Sequence, residues 1–190
     1  MKLGLLGGTF DPVHLGHLLV AQAALEELEL DRLFFIPTAA SPFKTDVQAA
    51  PAAERLRLLR LALAGEPKCE VDEQEILRGG TSYTIDTIRN YLRAYPGADL
   101  FYIIGSDQIP HLLLWRQAQE LVGLARFAVV PRPGETELEL PAPFRGQVLR
   151  GFPLALSSSA IRARIKKGLS IRHLVPPAVE EAIRNNRLYL

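Results

Sequence analysis

Two histidines, His14 and His17, stand three residues apart where a glycine-containing turn leads into a helical pattern, within GGTFDPVHLGH at residues 7–17. Side chains three positions apart lie on one face of a helix, so both imidazoles are expected near its N-terminus. Helix N-termini favour anions, and imidazole donors can follow a phosphate oxygen as its charge grows. The segment therefore predicts a phosphate site. The alternative is an ordinary strand, turn and helix with polar surface histidines.

A second candidate anion site lies near the C-terminus, in SSSAIR at residues 157–162. Ser157 and Ser158 place hydroxyls and free amides at a predicted helix start, and Arg162 adds a guanidinium, a combination that suits a triphosphate. The alternative is an ordinary helix cap beside a solvent-exposed arginine. Neither segment is the G-x-G-x-x-G dinucleotide fingerprint or a P-loop, since the spacing of glycines and the Gly-Lys-Ser/Thr ending are missing.

Five short apolar runs alternate with helical patterns and are expected to position these residues. Strands are predicted at residues 2–6, 32–37, 68–73, 100–104 and 125–130. The alternation predicts an α/β fold, a doubly wound, Rossmann-like parallel sheet of five strands. We expect one domain over residues 1–190, with a small C-terminal helical part at 157–190. The proline-rich, acidic residues 131–146 are interpreted as a surface excursion.

In a doubly wound sheet, ligands bind where the strand order reverses, beyond the carboxyl ends of the strands. The turns at residues 7–17 and 105–107 follow the first and fourth predicted strands. We therefore expect these two turns to face each other across one crevice.

Composition limits the partners. The 190 residues are 48% hydrophobic, and 22 basic against 21 acidic residues give a formal net charge of +1. This balance predicts neither a nucleic-acid nor a membrane partner and makes any anion site local. A single cysteine, Cys69, cannot form an internal disulfide, and no apolar run reaches the length of a membrane span, so a cytoplasmic protein is expected. A homo-oligomer is left open.

The glycine-histidine segment resembles the T/H-x-G-H signature of the nucleotidylyltransferase superfamily, and S-S-x-x-I-R resembles its C-terminal companion. Three further stretches resemble bacterial nicotinate-nucleotide adenylyltransferases: TSYTIDT at 81–87, GSDQ at 105–108 with Trp115 downstream, and LVPPAVEEAIRNNRLY near the end. The resemblance implies transfer of AMP from ATP to nicotinate mononucleotide, which yields nicotinate adenine dinucleotide and pyrophosphate. It also implies Mg²⁺ bound with the ATP phosphates.

The resemblance also assigns roles to individual residues. The catalytic candidates are His14, His17, Lys44 and Arg162. The ATP-binding candidates are Gly7, Gly8, Thr9, Phe10, His14, His17, Gly105, Asp107, Ser157, Ser158, Ile161 and Arg162. The acceptor-binding candidates are Gly8, Thr9, Thr38, Lys44, Thr81, Tyr83, Thr84, Trp115 and Arg116. No residue is assigned as a metal ligand.

Two of these roles have plain alternatives. Asp107 would meet the adenosine, but it could also simply cap a helix. Trp115 would stack on the pyridine ring, whereas a lone tryptophan can equally serve core packing.

The chain departs from the family pattern in one loop. Thr38 stands where the family commonly has asparagine, and SPFK at residues 41–44 replaces P-P-H-K, so Phe43 occupies a position at which it cannot hydrogen-bond. Two other functions are therefore retained as alternative hypotheses. One is a related transferase with another acceptor, such as nicotinamide mononucleotide or phosphopantetheine, and the other is a nucleotide-binding sensor without turnover.

Overall fold

The fold is described here from a computed structural model, which describes residues 1–40, 49–135 and 137–190. In chain order the strands and helices are β1 (Lys2–Gly8), α1 (Leu15–Glu27), β2 (Arg32–Pro37), α2 (Ala52–Ala62), β3 (Cys69–Val71), α3 (Gln74–Arg78), α4 (Thr84–Ala94), β4 (Asp99–Gly105), α5 (Ala118–Leu124), β5 (Arg126–Val130), β6 (Gly146–Val148), α6 (Ser158–Lys166) and α7 (Pro177–Asn185). A 3₁₀ helix, Ser106–Leu114, joins β4 to α5.

The strands form one parallel sheet in the order β3-β2-β1-β4-β5-β6. The chain thus winds outward from β1 in one direction and then from β4 in the other. This is the predicted doubly wound fold, and the reversal point lies between β1 and β4. The turns that follow these two strands are therefore neighbours at one end of the sheet.

The prediction of five strands was wrong by one. Strand β6 begins at Gly146, the last residue of the region interpreted as a surface excursion, and pairs with β5. It extends over three exposed residues, so no apolar run marks it in the sequence. Backbone bonds hold it in place: the Phe127 amide donates to the Arg145 carbonyl at 2.8 Å, and the Leu149 amide donates to the Val129 carbonyl at 2.8 Å.

Two hydrophobic clusters cover the two faces of the sheet. Neighbouring strand residues alternate between them, since Phe35 belongs to one cluster and Phe34 to the other. The first cluster also contains side chains from α1, α2, α6 and α7, and the second contains side chains from α4, α5 and the 3₁₀ helix. Strands buried on both faces need continuous apolar sequences, which is why the central strands were predictable.

The remaining differences are local. The third strand is shorter than predicted, and the five-residue helix α3, which the sequence pattern did not indicate, follows it closely. The helical stretch expected to contain Trp115 is a 3₁₀ helix that ends at Leu114, with Trp115 directly after it. None of the helices in the described ranges has the length and apolar character needed to cross a membrane.

Candidate active site

Gly7 lies near the carboxyl end of β1 and comes close to Tyr102 of the neighbouring strand β4. A Cβ atom at Gly7 would lie 2.5 Å from the hydroxyl oxygen of Tyr102, far closer than a van der Waals contact. The glycine is therefore needed for this close approach. The Tyr102 hydroxyl in turn lies 3.3 Å from Thr84 Oγ1 at the start of α4, so one tyrosine connects the first motif to the TSYT segment.

The predicted histidine pair is present. The His14 and His17 rings stack with centroids 3.7 Å apart and 25° between their planes. Gly16 makes room for this pair, because a Cβ there would lie 3.0 Å from His14 Nδ1 and Cε1. Phe10 is 2% exposed and contacts His17 edge-on at 4.9 Å, so its ring supports the histidines from within the core.

The His14 amide donates a 3.2 Å hydrogen bond to His17 Nδ1. A neutral imidazole that accepts at Nδ1 carries its proton on Nε2, so this bond sets the tautomer of His17. The helix end is otherwise partly satisfied within the chain. The Leu15 amide donates to the Leu174 carbonyl at 3.0 Å, and the His17 amide donates to the His14 carbonyl at 2.9 Å. Part of the hydrogen-bonding capacity of this helix end is therefore used within the chain.

His14 is only 5% exposed, and its Nδ1 atom is buried without a hydrogen-bond partner in the described part of the chain. Burial, with a smaller contribution from the positive charge of Arg132, lowers the pKa of His14 to about 4. His14 is thus a neutral imidazole at physiological pH.

Asp107 and Arg132 connect the turn after β4 to the histidines. Arg132 Nη2 donates to Asp107 Oδ1 at 3.0 Å, and the same guanidinium acts electrostatically on His14. Burial opposes the charge of Asp107, but hydrogen bonds from Gln108 and Arg132 outweigh it and lower its pKa. Gly105 ends β4 immediately before this turn. Asp107, Arg132 and His14 thus connect the turn after β4 with the turn after β1, as expected for one crevice between them.

The second anion candidate meets the first at Asp11. Arg162, on α6, donates from Nη1 to the Asp11 carbonyl at 2.6 Å, and the same nitrogen lies 3.7 Å from Asp11 Oδ2. Asp11 is 3% exposed, and its Oδ1 accepts hydrogen bonds from Tyr189 and from the Ala50 amide. The N-termini of α1 and α6 are thus joined around one buried carboxylate.

Ser157 and Ser158, at the start of α6, make different hydrogen bonds. The Ser157 side chain caps the helix by accepting from the Ala160 amide at 3.2 Å, whereas the Ser158 hydroxyl donates to the Pro12 carbonyl at 2.8 Å. Ile161 is fully buried, and its amide donates to the Ser157 carbonyl at 3.1 Å. The capping interpretation of Ser157 is therefore correct as geometry, and Ser158 adds a second tie between α6 and the glycine loop.

A buried arginine that sequence reasoning missed supports the loop from below. Arg55 on α2 is 3% exposed and donates from Nη1 to the carbonyls of Thr9 and Thr38, each at 2.9 Å. The Thr38 amide also donates to the Gly8 carbonyl at 2.9 Å. Gly8, Thr9 and Thr38 are therefore brought together at the ends of β1 and β2.

Two of the predicted acceptor residues, Thr84 and Trp115, contact Tyr102. Trp115 meets the Tyr102 ring edge-on at 5.9 Å and packs against the second cluster, while its Nε1 is buried without a partner in the described part of the chain. The Arg116 guanidinium lies 4.6 Å from the centre of the Tyr83 ring. Thr81 is exposed and forms an isolated bridge with Ala40, which connects this loop to the end of β2.

A buried acid lies beneath this second loop. Glu75 on α3 is 3% exposed and accepts a 2.6 Å hydrogen bond from Thr87 Oγ1, and the Ser82 hydroxyl interacts with the same carboxyl group. Burial raises the pKa of Glu75. The Ser82 hydroxyl also accepts from the Ala39 amide at 3.1 Å. The loop that contains Ser82 is thus held by contacts on its buried side.

Sequence reasoning missed Asp11, Arg55, Glu75, Arg132 and Tyr189 as site residues. Asp11 stood within the glycine-histidine segment but was given no role of its own. Nothing in the sequence marks the others: the burial of Arg55 and Glu75 cannot be read from it, Arg132 is an exposed arginine in a polar loop, and Tyr189 contacts a residue far away in the chain. Lys44 and Phe43 lie outside the described residues.

No cluster of three or more His, Cys, Asp or Glu side chains suited to a metal ion occurs within residues 1–40, 49–135 and 137–190. The carboxylates of Asp11 and Asp107 already have partners: Asp11 faces Arg162 and Tyr189, and Asp107 faces Arg132.

The doubly wound sheet, with the N-termini of α1 and α6 joined at Asp11, is the structure in which the comparisons with known proteins can be placed. The chain matches the cytidylyltransferase-like family over residues 5–164, a range that contains both anion candidates. Two curated relatives carry the name "Probable nicotinate-nucleotide adenylyltransferase". The one from Opitutus terrae is 44% identical over 193 residues, covering 100% of this chain and 98% of the relative; the one from Thermus thermophilus is 42% identical over 191 residues, covering 100% of both. The chain belongs to the nicotinate-nucleotide adenylyltransferase family.

Solved structures agree on the fold. A Plasmodium falciparum nicotinic acid mononucleotide adenylyltransferase complexed with NaAD superposes with a TM-score of 0.76 at 17% identity, covering 99% of this chain and 97% of that chain. The same enzyme complexed with APC gives a TM-score of 0.78 at 16% identity, covering 99% of this chain and 96% of the other.

Proposed function

We propose that this protein transfers AMP from ATP to nicotinate mononucleotide, with nicotinate adenine dinucleotide and pyrophosphate as products, in the biosynthesis of NAD. The observation that carries the proposal is the meeting of α1 and α6. Through the contacts of Arg162 with Asp11 and of Ser158 with Pro12, two helix N-termini, two imidazoles and a guanidinium surround one loop. A triphosphate needs such a concentration of donors and positive charge.

The reaction needs no nucleophilic side chain. A phosphate monoester loses its second proton near pH 6, so the acceptor phosphate is an anionic nucleophile at neutral pH. In the proposed step, an oxygen of that phosphate forms a bond to the α-phosphorus of ATP from the side opposite the leaving group. The bond from the α-phosphorus to its bridging oxygen breaks, and pyrophosphate leaves with that electron pair. The protein aligns the two phosphates and stabilises the charge.

His17 is the residue we assign to the α-phosphate. Its Nδ1 accepts from the His14 amide, so the neutral ring carries a donor proton at Nε2. A donor held in place before reaction stabilises charge that grows in the transition state without reorganisation. His14, which is neutral because of its lowered pKa, holds the stacked His17 ring and offers a second imidazole.

Arg162 is assigned to the triphosphate tail. Its Nη1 is bound to Asp11 and its Nη2 donates to Ser159 Oγ at 3.2 Å, which fixes the plane of the guanidinium. The group has five N–H donors, so others remain for phosphate oxygens. By family resemblance, Lys44 adds a further positive charge, Asp107 and Gly105 meet the adenosine, and backbone groups of Gly7, Gly8, Thr9 and Ile161 contact the nucleotide.

The acceptor is assigned to the groups around Tyr102. Trp115 is half-buried, with its ring plane at 89° to that of Tyr102, and the exposed part of its surface is available to a pyridine ring. Thr84 is the first residue of α4, and the first amides of a helix have no partners within it. Backbone around Thr84 and Arg116 is therefore suited to a carboxylate, with Thr38, Thr81 and Tyr83 at the edge.

In the proposed reaction, Mg²⁺ would bind together with the phosphates of ATP. The carboxylates of the crevice are held by arginine and tyrosine partners, which fits an ion coordinated mainly by phosphate oxygens rather than by a protein cage. The ion would neutralise part of the triphosphate charge.

The test is to incubate the purified chain with MgATP and nicotinate mononucleotide and to follow the release of pyrophosphate and the appearance of the dinucleotide. Parallel reactions contain nicotinamide mononucleotide or phosphopantetheine. Turnover with the nicotinate acceptor supports the proposal, and turnover only with another acceptor contradicts it. ATP binding without turnover on any acceptor would indicate a nucleotide sensor instead.

A further inference from the structure

Asp11 is a buried carboxylate that three distant parts of the chain contact. Its Oδ1 accepts from the Tyr189 hydroxyl at 2.8 Å and from the Ala50 amide at 3.2 Å, and its Oδ2 faces Arg162 Nη1 at 3.7 Å. Because Asp11 is only 3% exposed, these donors replace the water that an ionised carboxylate would otherwise keep.

Tyr189 reaches this carboxylate from 178 residues away in the sequence. Its ring packs against the first hydrophobic cluster, and its backbone has φ 67°, a left-handed conformation that is uncommon for a residue with a side chain. Burial, together with the neighbouring Asp11 carboxylate, raises the pKa of Tyr189, so the hydroxyl keeps its proton and stays a donor. The contact is therefore built into the fold.

A carboxylate group is planar, so fixing one oxygen limits rotation of the other. Tyr189 and the Ala50 amide hold Oδ1, and this directs Oδ2 toward Arg162. Arg162 Nη1 is also anchored on the Asp11 carbonyl at 2.6 Å. The position of the guanidinium thus depends on the orientation of Asp11, and that orientation depends on Tyr189.

We propose that Tyr189 is a positioning residue that acts through Asp11 to hold Arg162 in place for the phosphates of ATP. This inference rests on the proposed function, in which Arg162 binds the triphosphate. The competing explanation is that Tyr189 only anchors the C-terminal segment to the body of the protein.

The test compares Tyr189→Phe, which removes one hydroxyl, with the control Tyr95→Phe. The Tyr95 hydroxyl accepts a 3.4 Å bond from Arg32, and Tyr95 packs on Phe34 and Tyr91 in the other cluster. We expect Tyr189→Phe to raise KM for ATP about three- to tenfold, the size of one lost hydrogen bond, with KM for the nicotinate acceptor unchanged. Tyr95→Phe should change neither. Equal effects on both substrates, or an unchanged KM for ATP, would overturn the proposal.

A double-mutant cycle separates positioning from anchoring. In an Arg162→Ala background, Tyr189→Phe should produce no further rise in KM for ATP, because the group it positions is missing. An independent, multiplicative effect in that background would overturn the proposal in favour of simple anchoring.

ATP affinity measured by calorimetry with MgATP alone keeps this inference distinct from the reaction. If the wild-type chain binds ATP but transfers nothing to nicotinate mononucleotide, the proposed function fails, yet a several-fold weaker affinity in Tyr189→Phe would still support the role of Tyr189. An affinity equal to that of the wild type would overturn it.

Discussion

The backbone amide of His14 donates a hydrogen bond to Nδ1 of His17, and the centroids of the two stacked rings lie 3.7 Å apart. The first histidine therefore determines both the position and the tautomer of the second. Neither property can be read from spacing alone. Spacing predicts that two side chains share a helix face, but not that one of them is buried and uncharged.

His17→Ala should reduce kcat by about 100-fold or more with little change in thermal stability, since the imidazole is assigned to charge that develops in the transition state. The measurement is steady-state pyrophosphate release together with a melting curve. His173→Asn is the matched control, because His173 is exposed at φ 64°, a conformation that asparagine tolerates. Near-normal turnover of His17→Ala would remove this residue from the catalytic assignment.

Arg162→Ala should weaken the use of ATP, with a large share of the loss in KM, because the charge of the triphosphate exists before the reaction starts. Arg162→Lys keeps the charge but not the planar group that contacts both Asp11 and Ser159, so it should restore the activity only in part. Initial rates at varied MgATP provide the comparison. An ATP dependence that is unchanged in Arg162→Ala would show that the guanidinium does not touch the nucleotide.

Nicotinate mononucleotide should be preferred over nicotinamide mononucleotide by about 100-fold in kcat/KM. Backbone N–H donors near Thr84 and Arg116 would hydrogen-bond a carboxylate but would face the NH₂ donor of an amide. The two acceptors should therefore differ by roughly 3 kcal/mol in transition-state stabilisation. Stacking on Trp115 does not distinguish the two rings, so Trp115→Phe should weaken both acceptors by similar factors. Comparable kcat/KM values for the two acceptors in the wild type would contradict the assignment of this loop.

The buried His14 predicts a pH dependence of stability. Its pKa is about 4 in the folded chain against 6.5 for the ordinary group, so the unfolded state binds more protons between these values. The contribution of His14 to the free energy of unfolding should therefore be complete above about pH 6.5 and be lost as the pH falls toward 4, by roughly 3 kcal/mol in total.

Denaturant unfolding of the wild type and of His14→Gln at several pH values isolates this contribution. The difference between their free energies of unfolding should change with pH mainly between about 6.5 and 4, because the variant lacks the titrating group. A difference that is constant over that interval would show that His14 titrates alike in both states.

The sequence was sufficient to predict the main strands, and it named the two segments of the candidate site, whose binding of phosphate stays a prediction. Strands β1 and β4 are continuous apolar runs because both of their faces are buried, and the glycine-histidine segment has a fixed order. Strand β6 was not predictable, since it consists of three exposed residues held by backbone pairing with β5. The Asp11 network was not predictable either, because its partners stand far apart in the chain and meet only when α6 and α7 close over the sheet.

The close approach of Gly7 to Tyr102 has an evolutionary consequence. A methyl group at residue 7 would collide with the phenol oxygen at 2.5 Å, but it would lie 3.5 Å from the ring carbon that bears that oxygen, which is an ordinary contact. An alanine at residue 7 is therefore compatible with phenylalanine at residue 102 and not with tyrosine. Among descendants of a common ancestor, these two positions are expected to change together, and a lineage that loses the hydroxyl also loses its tie to Thr84.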